Sequence, residues 1–514
     1  MRGSTTMAAL ALTGVSLAAL LTACAVGPST HIETPAYPVS ARTDSAMSSA
    51  ARAFLDSLAK ARAAGAEPSG NVVRRPEAAR RADTTERTLP APLFIDTTHE
   101  LAWLDVLRDT ELVALVDTAV ANNRDLRVAQ ARVREFRALY GVARGPLFPQ
   151  LAVNAGASKN RAAFGPTVVS FDAVRITGDL AWELDFWGRL RRQAEAGRYD
   201  MQATEEDARA TALTLVSDVA TAYLQLRELD ADLQIAERTL ASQQSTLDLA
   251  RRRYAQGLIS ELDVRQFEAE LADPAARVAE FARQRVQQEN ALALLLGRQP
   301  GHIPRGMSLE SAVQAVSVPD TIPGSLIARR PDVMSAERRL QAATARIGVA
   351  IGDRLPAIRI SGSYGAQRPD FTGLFDRSGE LYTAQVGISI PIFTGGQLQN
   401  AERAARAVAD EARNQYEQTV LNALGEASDA LAGVRLSRDQ LAAQATQAQA
   451  LQRALTLAQE RYRSGISSYL EVLDAQRSLF TAQLALVQVQ RQYLVSTVDL
   501  YRALGGSWNV EPPR

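Results

Sequence analysis

Three histidines, one cysteine and two lysines are a thin supply of reactive side chains for a chain of 514 residues. His31, His99 and His302 lie far apart without metal-ligand spacing, so solvated or structural roles suit them better than a metal site. Lys60 and Lys159 are not preceded by the glycine pattern of a phosphate-binding loop. No GxSxG, HExxH or paired-cysteine motif occurs, which makes an enzyme a weak hypothesis. Lys+Arg and Asp+Glu are both 57, and a formal net charge of zero removes the electrostatic footprint of a nucleic-acid binder. No cofactor is expected apart from what Cys24 carries.

Cys24 has a specific context. Arg2 precedes the apolar run MAALALTGVSLAALLTA, which has the charged start, hydrophobic middle and small-residue end of an export signal and is too short for a membrane anchor. The run ends in LTAC, which resembles the bacterial lipoprotein box, whose cysteine becomes the acylated first residue of the mature chain. Residues 1–23 therefore read as a signal peptide and 24–102 as an acylated N-terminus with a tether. Ala25, where an acidic residue would retain such a lipoprotein, suggests transfer to the outer membrane. Between about Val39 and Pro90 the tether has few large apolar residues, so it buries too little surface to offset the entropy of ordering it.

The elements beyond the tether are written twice. RYAQGLISELDV, from Arg253 to Val264, returns as RYRSGISSYLEV, from Arg461 to Val472, with every match 208 positions on. Tyr254 pairs with Tyr462, Gly257 with Gly465, Leu262 with Leu470 and Leu296 with Leu504. Upstream the offset is 207, as in Asp125 with Asp332 and Pro149 with Pro356. Copy one spans residues 103–297, a linker 298–324, and copy two with a C-terminal tail 325–514.

Each copy has one internal order. A helical stretch (about Glu111 to Arg144, and about Ser325 to Arg354) runs into a proline and an alternating segment. Leu151, Val153, Ala155 and Ala157 share one side, as do Ile358, Ile360, Gly362 and Tyr364. A second alternating segment follows, with Ile176, Leu180, Trp182 and Leu184 in copy one and Val386, Ile388, Ile390 and Ile392 in copy two. KNRAAFGPTVVS and QRPDFTGLFDRSGE read as the loops between them. Long helical patterns then cover about Leu190 to Gln256 and about Gln397 to Ser464, each about 100 Å at 1.5 Å per residue. Gly257 and Gly465 suit left-handed helix ends. Ser260 with Asp263 and Ser468 with Glu471 suit capping boxes that start the outgoing helices, about Ser260 to Gly297 and about Ser468 to Gly505. Asp273-Pro274 should kink the first of these or restart it. Each repeated sentence is thus a helical hairpin tip, far from the strands.

Four strands cannot close a barrel, and an open sheet edge cannot lie in lipid, because its amides and carbonyls have no partner there. Other chains must supply strands. Three copies give twelve, and the arithmetic leaves two or four copies open.

CAVGP at Cys24, ARRPDVMSAERRLQAATARIGVA from Ala328, FWGRLRR from Phe186, the tip sentences, LDAQRSLFTAQ from Leu473 and YRALGG from Tyr501 resemble TolC/OprM-type outer-membrane efflux channels of the lipoprotein branch. The resemblance runs from roughly Trp103 to the C-terminus. It implies an α+β membrane protein: a homotrimer whose twelve-stranded β-barrel continues into a long periplasmic α-helical barrel, two structural repeats per chain. It further implies passive exit of drugs or other solutes, with a periplasmic adaptor and an inner-membrane transporter as partners. In the family, acids on the long helix of copy two narrow the periplasmic end; Glu426 and Asp429, with Asp218 equivalent to Glu426, become gate candidates, and an ordinary solvated helix face is the alternative. The tips, with Tyr254, Gly257, Leu258, Tyr462, Gly465 and Ile466, become adaptor-docking candidates. Leu258 and Ile466 are apolar at a loop apex; they either meet the adaptor or tuck under their own turn. Two rival readings are a lipid-anchored periplasmic coiled-coil adaptor or scaffold, which leaves four alternating segments unexplained, and the exit duct of a type I protein secretion system.

Acylation makes the first testable statement. Mass spectrometry of the mature N-terminus should find a lipid-modified Cys24, and Cys24→Ser should remove it while assembly persists, since a closed barrel holds itself in the membrane. An unmodified cysteine, or cleavage elsewhere, refutes the anchor.

Overall fold

A computed structural model of the protein describes residues 107–164, 166–316, 324–374 and 376–506. Cys24, the tether, His31 and His99 lie outside the described residues. The chain divides into two compact units, one drawn from Ala131–Asp207 and Asp332–Thr419, the other from Ala208–Pro331 with the described parts of Ala36–Gln130 and Val420–Arg514. Each unit takes residues from both sequence copies.

Strict alternation builds the sheet of the first unit. Strands β1 (Gln150–Phe164), β2 (Thr167–Leu184), β3 (Ala357–Arg368) and β4 (Glu380–Ser389) pair antiparallel in chain order. The register sets Leu151 opposite Leu180, Leu180 opposite Gly362, Trp182 opposite Ile360 and Ile360 opposite Val386. Because side chains alternate with period two, the apolar positions named from the sequence that fall within the strands share one face. That face is bare on the outer strands, where Leu151 is 81% exposed, Val153 78% and Tyr382 78%, and half-covered on the inner ones. The other face carries Asn154, Asp179, Ser363 and Thr383, tied by Asn154 Nδ2 donating to Asp179 Oδ2 at 2.6 Å and a Ser363–Thr383 hydroxyl pair at 2.7 Å. Val174, Ala366 and Leu374 form a small buried cluster on the apolar face, roofed by the β3–β4 loop. Among the described residues, β1 and β4 are edges without a partner strand.

Two expectations for the sheet change. KNRAAFGPTVVS is mostly strand, since pairing continues to Phe164 opposite Thr167. Its Gly165-Pro166 tip signals a turn, and the small and polar residues around it alternate too weakly to mark a strand. β4 ends at Ser389, so Ile390 and Ile392 lie beyond it, because Pro391 has no amide to extend the ladder.

Helices carry the rest. Copy one has α1 (Thr110–Asn122), α2 (Arg124–Arg144), α3 (Arg189–Ala255) and α4 (Glu261–Leu295). The linker holds α5 (Leu309–Ala315), and copy two has α6 (Pro331–Gly352), α7 (Gln397–Arg463) and α8 (Tyr469–Ala503). α3 and α7 both have 67 residues, and α4 and α8 both have 35. The single helix expected from Glu111 to Arg144 is broken at Asn123, whose Oδ1 accepts from Leu126 N at 3.0 Å and so caps α2. Pro274 sits inside α4 without restarting it; its ring is buried, and that packing offsets one missing backbone bond.

In the second unit, the fully buried Tyr223 anchors a hydrogen-bonded knot. Its hydroxyl donates to Asp109 Oδ2 at 3.0 Å and accepts from Gly306 N at 2.7 Å, which fixes the linker against α1 and α3. Asp109 also caps α1 and accepts from Met307 N at 3.0 Å. Burial pushes the Tyr223 phenol well above its ordinary range.

A second polar cluster joins the copies. Glu228 and Asp232 stand one turn apart on α3, and Arg491 of α8 lies 2.7 Å from Glu228. Only Glu228 contacts the guanidinium; Asp232 feels its charge from further off, and its Oδ1 is buried without a hydrogen-bond partner. Burial first, then the Glu228 charge, push the Asp232 carboxyl up to about 7, with Arg491 opposing. A carboxyl raised on folding contributes stability that is complete below its unfolded value, near pH 4, and is lost as pH rises through about 7. Thermal unfolding in detergent should therefore occur at lower temperature at about pH 8 than at about pH 5, and Asp232→Asn should flatten that difference. An unchanged pH profile in the variant would place the sensitivity elsewhere.

Candidate functional site

The tips are built by backbone bonds that only the observed glycine conformation allows. Gly257 and Gly465 have φ of +74° and +72°. Gly257 N donates to Tyr254 O at 2.9 Å and Leu258 N to Arg253 O at 3.0 Å; Gly465 N donates to Tyr462 O at 3.1 Å and Ile466 N to Arg461 O at 2.9 Å. This paired pattern satisfies the last carbonyls of α3 and α7 alike. Ser260 and Asp263 form the full capping box. Ser468 makes no side-chain cap, and the Glu471 side chain that would complete the box turns towards Arg461, 3.9 Å away. The expected second capping box is therefore absent.

The apolar apex residues do not tuck under. Leu258 is 67% exposed and Ile466 71%, and Tyr254 is also exposed. Leu262 and Leu470, each the second residue of its outgoing helix, are exposed as well. They were missed as site residues because helical periodicity alone does not show which stripe of a tip is covered. Tyr462 points the other way. Its hydroxyl accepts from Arg253 Nη1, the Arg253 guanidinium lies 5.2 Å over its ring, and Tyr469 meets it edge-on at 5.0 Å. Behind this contact Leu247, Ala250, Val264, Phe267 and Leu473 form a core drawn from both copies. The two tips are thus one body with an apolar crown and a tyrosine-arginine seam.

The three candidate gate acids are elsewhere. Asp218, Glu426 and Asp429 are exposed, each about 40 residues before its tip glycine, or about 60 Å along the helix. Glu426 Oε2 accepts from Arg330 Nη2 at 2.7 Å, and Arg330 Nη1 donates to the carbonyl of Ala503, the last residue of α8. Glu426 therefore lies at the end of the hairpin opposite the tip, and the structure does not bring these acids to the tip. Partial desolvation raises the Asp218 carboxyl, opposed by the Arg502 charge. Arg330 was not foreseen; the RRPDV run signalled a family and gave no hint of a partner 96 residues on.

Among the described residues no group of three His, Cys, Asp or Glu could hold a metal, and His302 Nδ1 lies 3.3 Å from Glu289. No described helix is long and apolar enough to cross a membrane, which says nothing of the sheet.

The outer membrane efflux protein family model matches residues 115–298 and 322–506, one segment for each sequence copy. The solvent efflux pump outer membrane protein SrpC of Pseudomonas putida is 37% identical over 412 residues, covering 79% of this chain and 87% of that protein. The cation efflux system protein CusC of Escherichia coli is 34% identical over 415 residues, covering 80% of this chain and 90% of that protein. A crystal structure of CusC matches with a TM-score of 0.74 at 32% identity over 82% of this chain and 99% of that one. The outer-membrane channel OprN matches with a TM-score of 0.74 at 31% identity over 84% of this chain and 99% of that one. With both copies matched across their length, the chain belongs to the outer membrane efflux protein family.

Proposed function

We propose that the chain is the outer-membrane exit channel of a tripartite efflux pump, assembled as a homotrimer with a twelve-stranded barrel and lipid-anchored through Cys24. One observation carries this reading: a sheet with an exposed apolar face, a hydrogen-bonded polar face and two unpaired edges. The apolar face suits lipid, the polar face a water-filled lumen, and the edges suit neighbouring copies that pair β4 of one chain with β1 of the next. Family membership and the outer-membrane pump components among the relatives support the same role. The adaptor reading gives no use to such a sheet.

The cargo is not selected by this chain. Relatives of nearly equal identity are named for solvents, toluene, antibiotics and cations. Identity of about the same level to relatives named for such different cargo fits a passive conduit, with selection falling to the inner-membrane transporter. The adaptor is the partner that must recognise the tips. Leu258 and Ile466 are the side chains to do it, since burying one such side chain contributes about 1.5–3 kcal/mol, and a trimer presents six tips.

Changing Leu258 and Ile466 together to Asp should abolish drug efflux and adaptor cross-linking while heat-resistant trimers persist at normal abundance in outer-membrane fractions. Loss of trimers, or normal export by the double variant, would end the docking assignment.

A further inference from the structure

Two residues in corresponding positions do the same task with different reach. Asn123 and Arg330 each stand just before a helix, α2 and α6, and each donates to the last carbonyl of its own copy's returning helix. Asn123 Nδ2 meets Leu295 O and Arg330 Nη1 meets Ala503 O, both at 2.9 Å. The glycine after each returning helix allows this approach. At Gly297 (φ +68°) a Cβ would fall 2.4 Å from Asn122 O, and at Gly505 (φ +81°) 3.2 Å from Arg330 Cα.

Each of the asparagine's side-chain polar atoms then has a partner, since its Oδ1 accepts from Leu126 N. The longer guanidinium has a second arm, and Nη2 donates to Glu426 Oε2 at 2.7 Å from a side chain only 8% exposed. Asp218 is the copy-one counterpart of Glu426, and no hydrogen bond or ion pair reaches it among the described residues. The cation whose charge it feels is Arg502, which lies 3.7 Å from Asp499.

We propose that Arg330 is a positioning residue that fastens α7 to the end of α8 through Glu426 and withdraws that carboxylate's charge from the conduit, leaving Asp218 as the uncompensated acid of the pair. The inference rests on the channel reading. A charge-assisted bond to a buried guanidinium cancels most of the far field of Glu426, whereas the field of Asp218 reaches mobile ions. The two repeats, alike in backbone, then differ in kind: one acid is structural and the other acts on ions.

The test uses the purified full-length protein, in planar bilayers for ion preference and in detergent for heat resistance. Asp218→Asn should shift the reversal potential towards lower cation preference and leave heat resistance near normal. Glu426→Gln should do the reverse, lowering heat resistance with little shift in potential. Arg330→Gln keeps an amide for the Ala503 carbonyl, as Asn123 does for Leu295, and frees Glu426; cation preference and low-salt conductance should rise. Adding Glu426→Gln to it should return the ion preference to that of the unaltered protein, with a heat-resistance cost well short of additive. The proposal is overturned if Asp218→Asn and Glu426→Gln shift the potential alike, if the double variant keeps the raised cation preference, or if the heat-resistance costs add. Should Arg330→Gln fail to assemble, the comparison of Asp218→Asn with Glu426→Gln decides. A wild-type protein that passes no current would sink the channel reading, while the heat-resistance cycle between Arg330 and Glu426 would still judge the clasp.

Discussion

An antiparallel sheet whose outer strands have no partner cannot rest in hydrocarbon, where each unpaired amide or carbonyl costs several kcal/mol. Four strands joined in chain order leave two such edges, β1 and β4. Their apolar face is no more comfortable in water, with Leu151, Val153, Tyr382 and Val386 all largely uncovered. The same element therefore demands lipid on one side, water on the other and neighbours at both edges. The α-helices answer a different requirement, since none of those described is apolar enough for the bilayer, and all can satisfy their own backbone in water. Division of labour between sheet and helix is thus set by where backbone groups can find partners.

How much of this was legible in the sequence depends on which signal each element carries. α3, α4, α7 and α8 begin and end within about two residues of their expected limits, because glycine, serine and acidic residues mark those ends by local chemistry. The strand faces were legible for a similar reason: period two needs no knowledge of the partner. What escaped depended on contacts distant in sequence. Asn123 reads as an ordinary polar residue inside a helix until Leu295 O is placed beside it. Pro274 reads as a breaker until its ring is seen to be buried. The acids at 218, 426 and 429 became gate candidates by resemblance alone, and helix length places them about 60 Å along the helix from the tip glycines.

The duplication explains why contacts between copies were the hardest to read. The apolar frame of the two tips is kept, as with Val264 and Val472, both buried. The charges on that frame have diverged. Arg491 of copy two meets Glu228 of copy one, yet the residues equivalent to Glu228 and Asp232 in copy two are Leu436 and Gln440, and Arg283 stands where copy one matches Arg491. Arg253 holds Tyr462, whereas Tyr254, the counterpart of that tyrosine, stays exposed. Each pair therefore works in one direction only.

Such one-way pairs solve a problem that duplication creates. Two copies with the same helix lengths and the same apolar stripes could pack α3 against the returning helix of either copy with nearly equal burial. Hydrophobic contact is nondirectional and does not choose between these arrangements. A buried charge without its counter-ion, as with Glu228 or Arg330, does choose, because the wrong pairing leaves it uncompensated at a cost of several kcal/mol. Glu228 with Arg491 and Glu426 with Arg330 sit where α3 and α7 meet other elements of the second unit, and each has a neutral or shorter residue at the corresponding place in the other copy. Such pairs add little net stability over apolar packing of similar volume; what they contribute is a penalty on the pairing that would leave a buried charge alone.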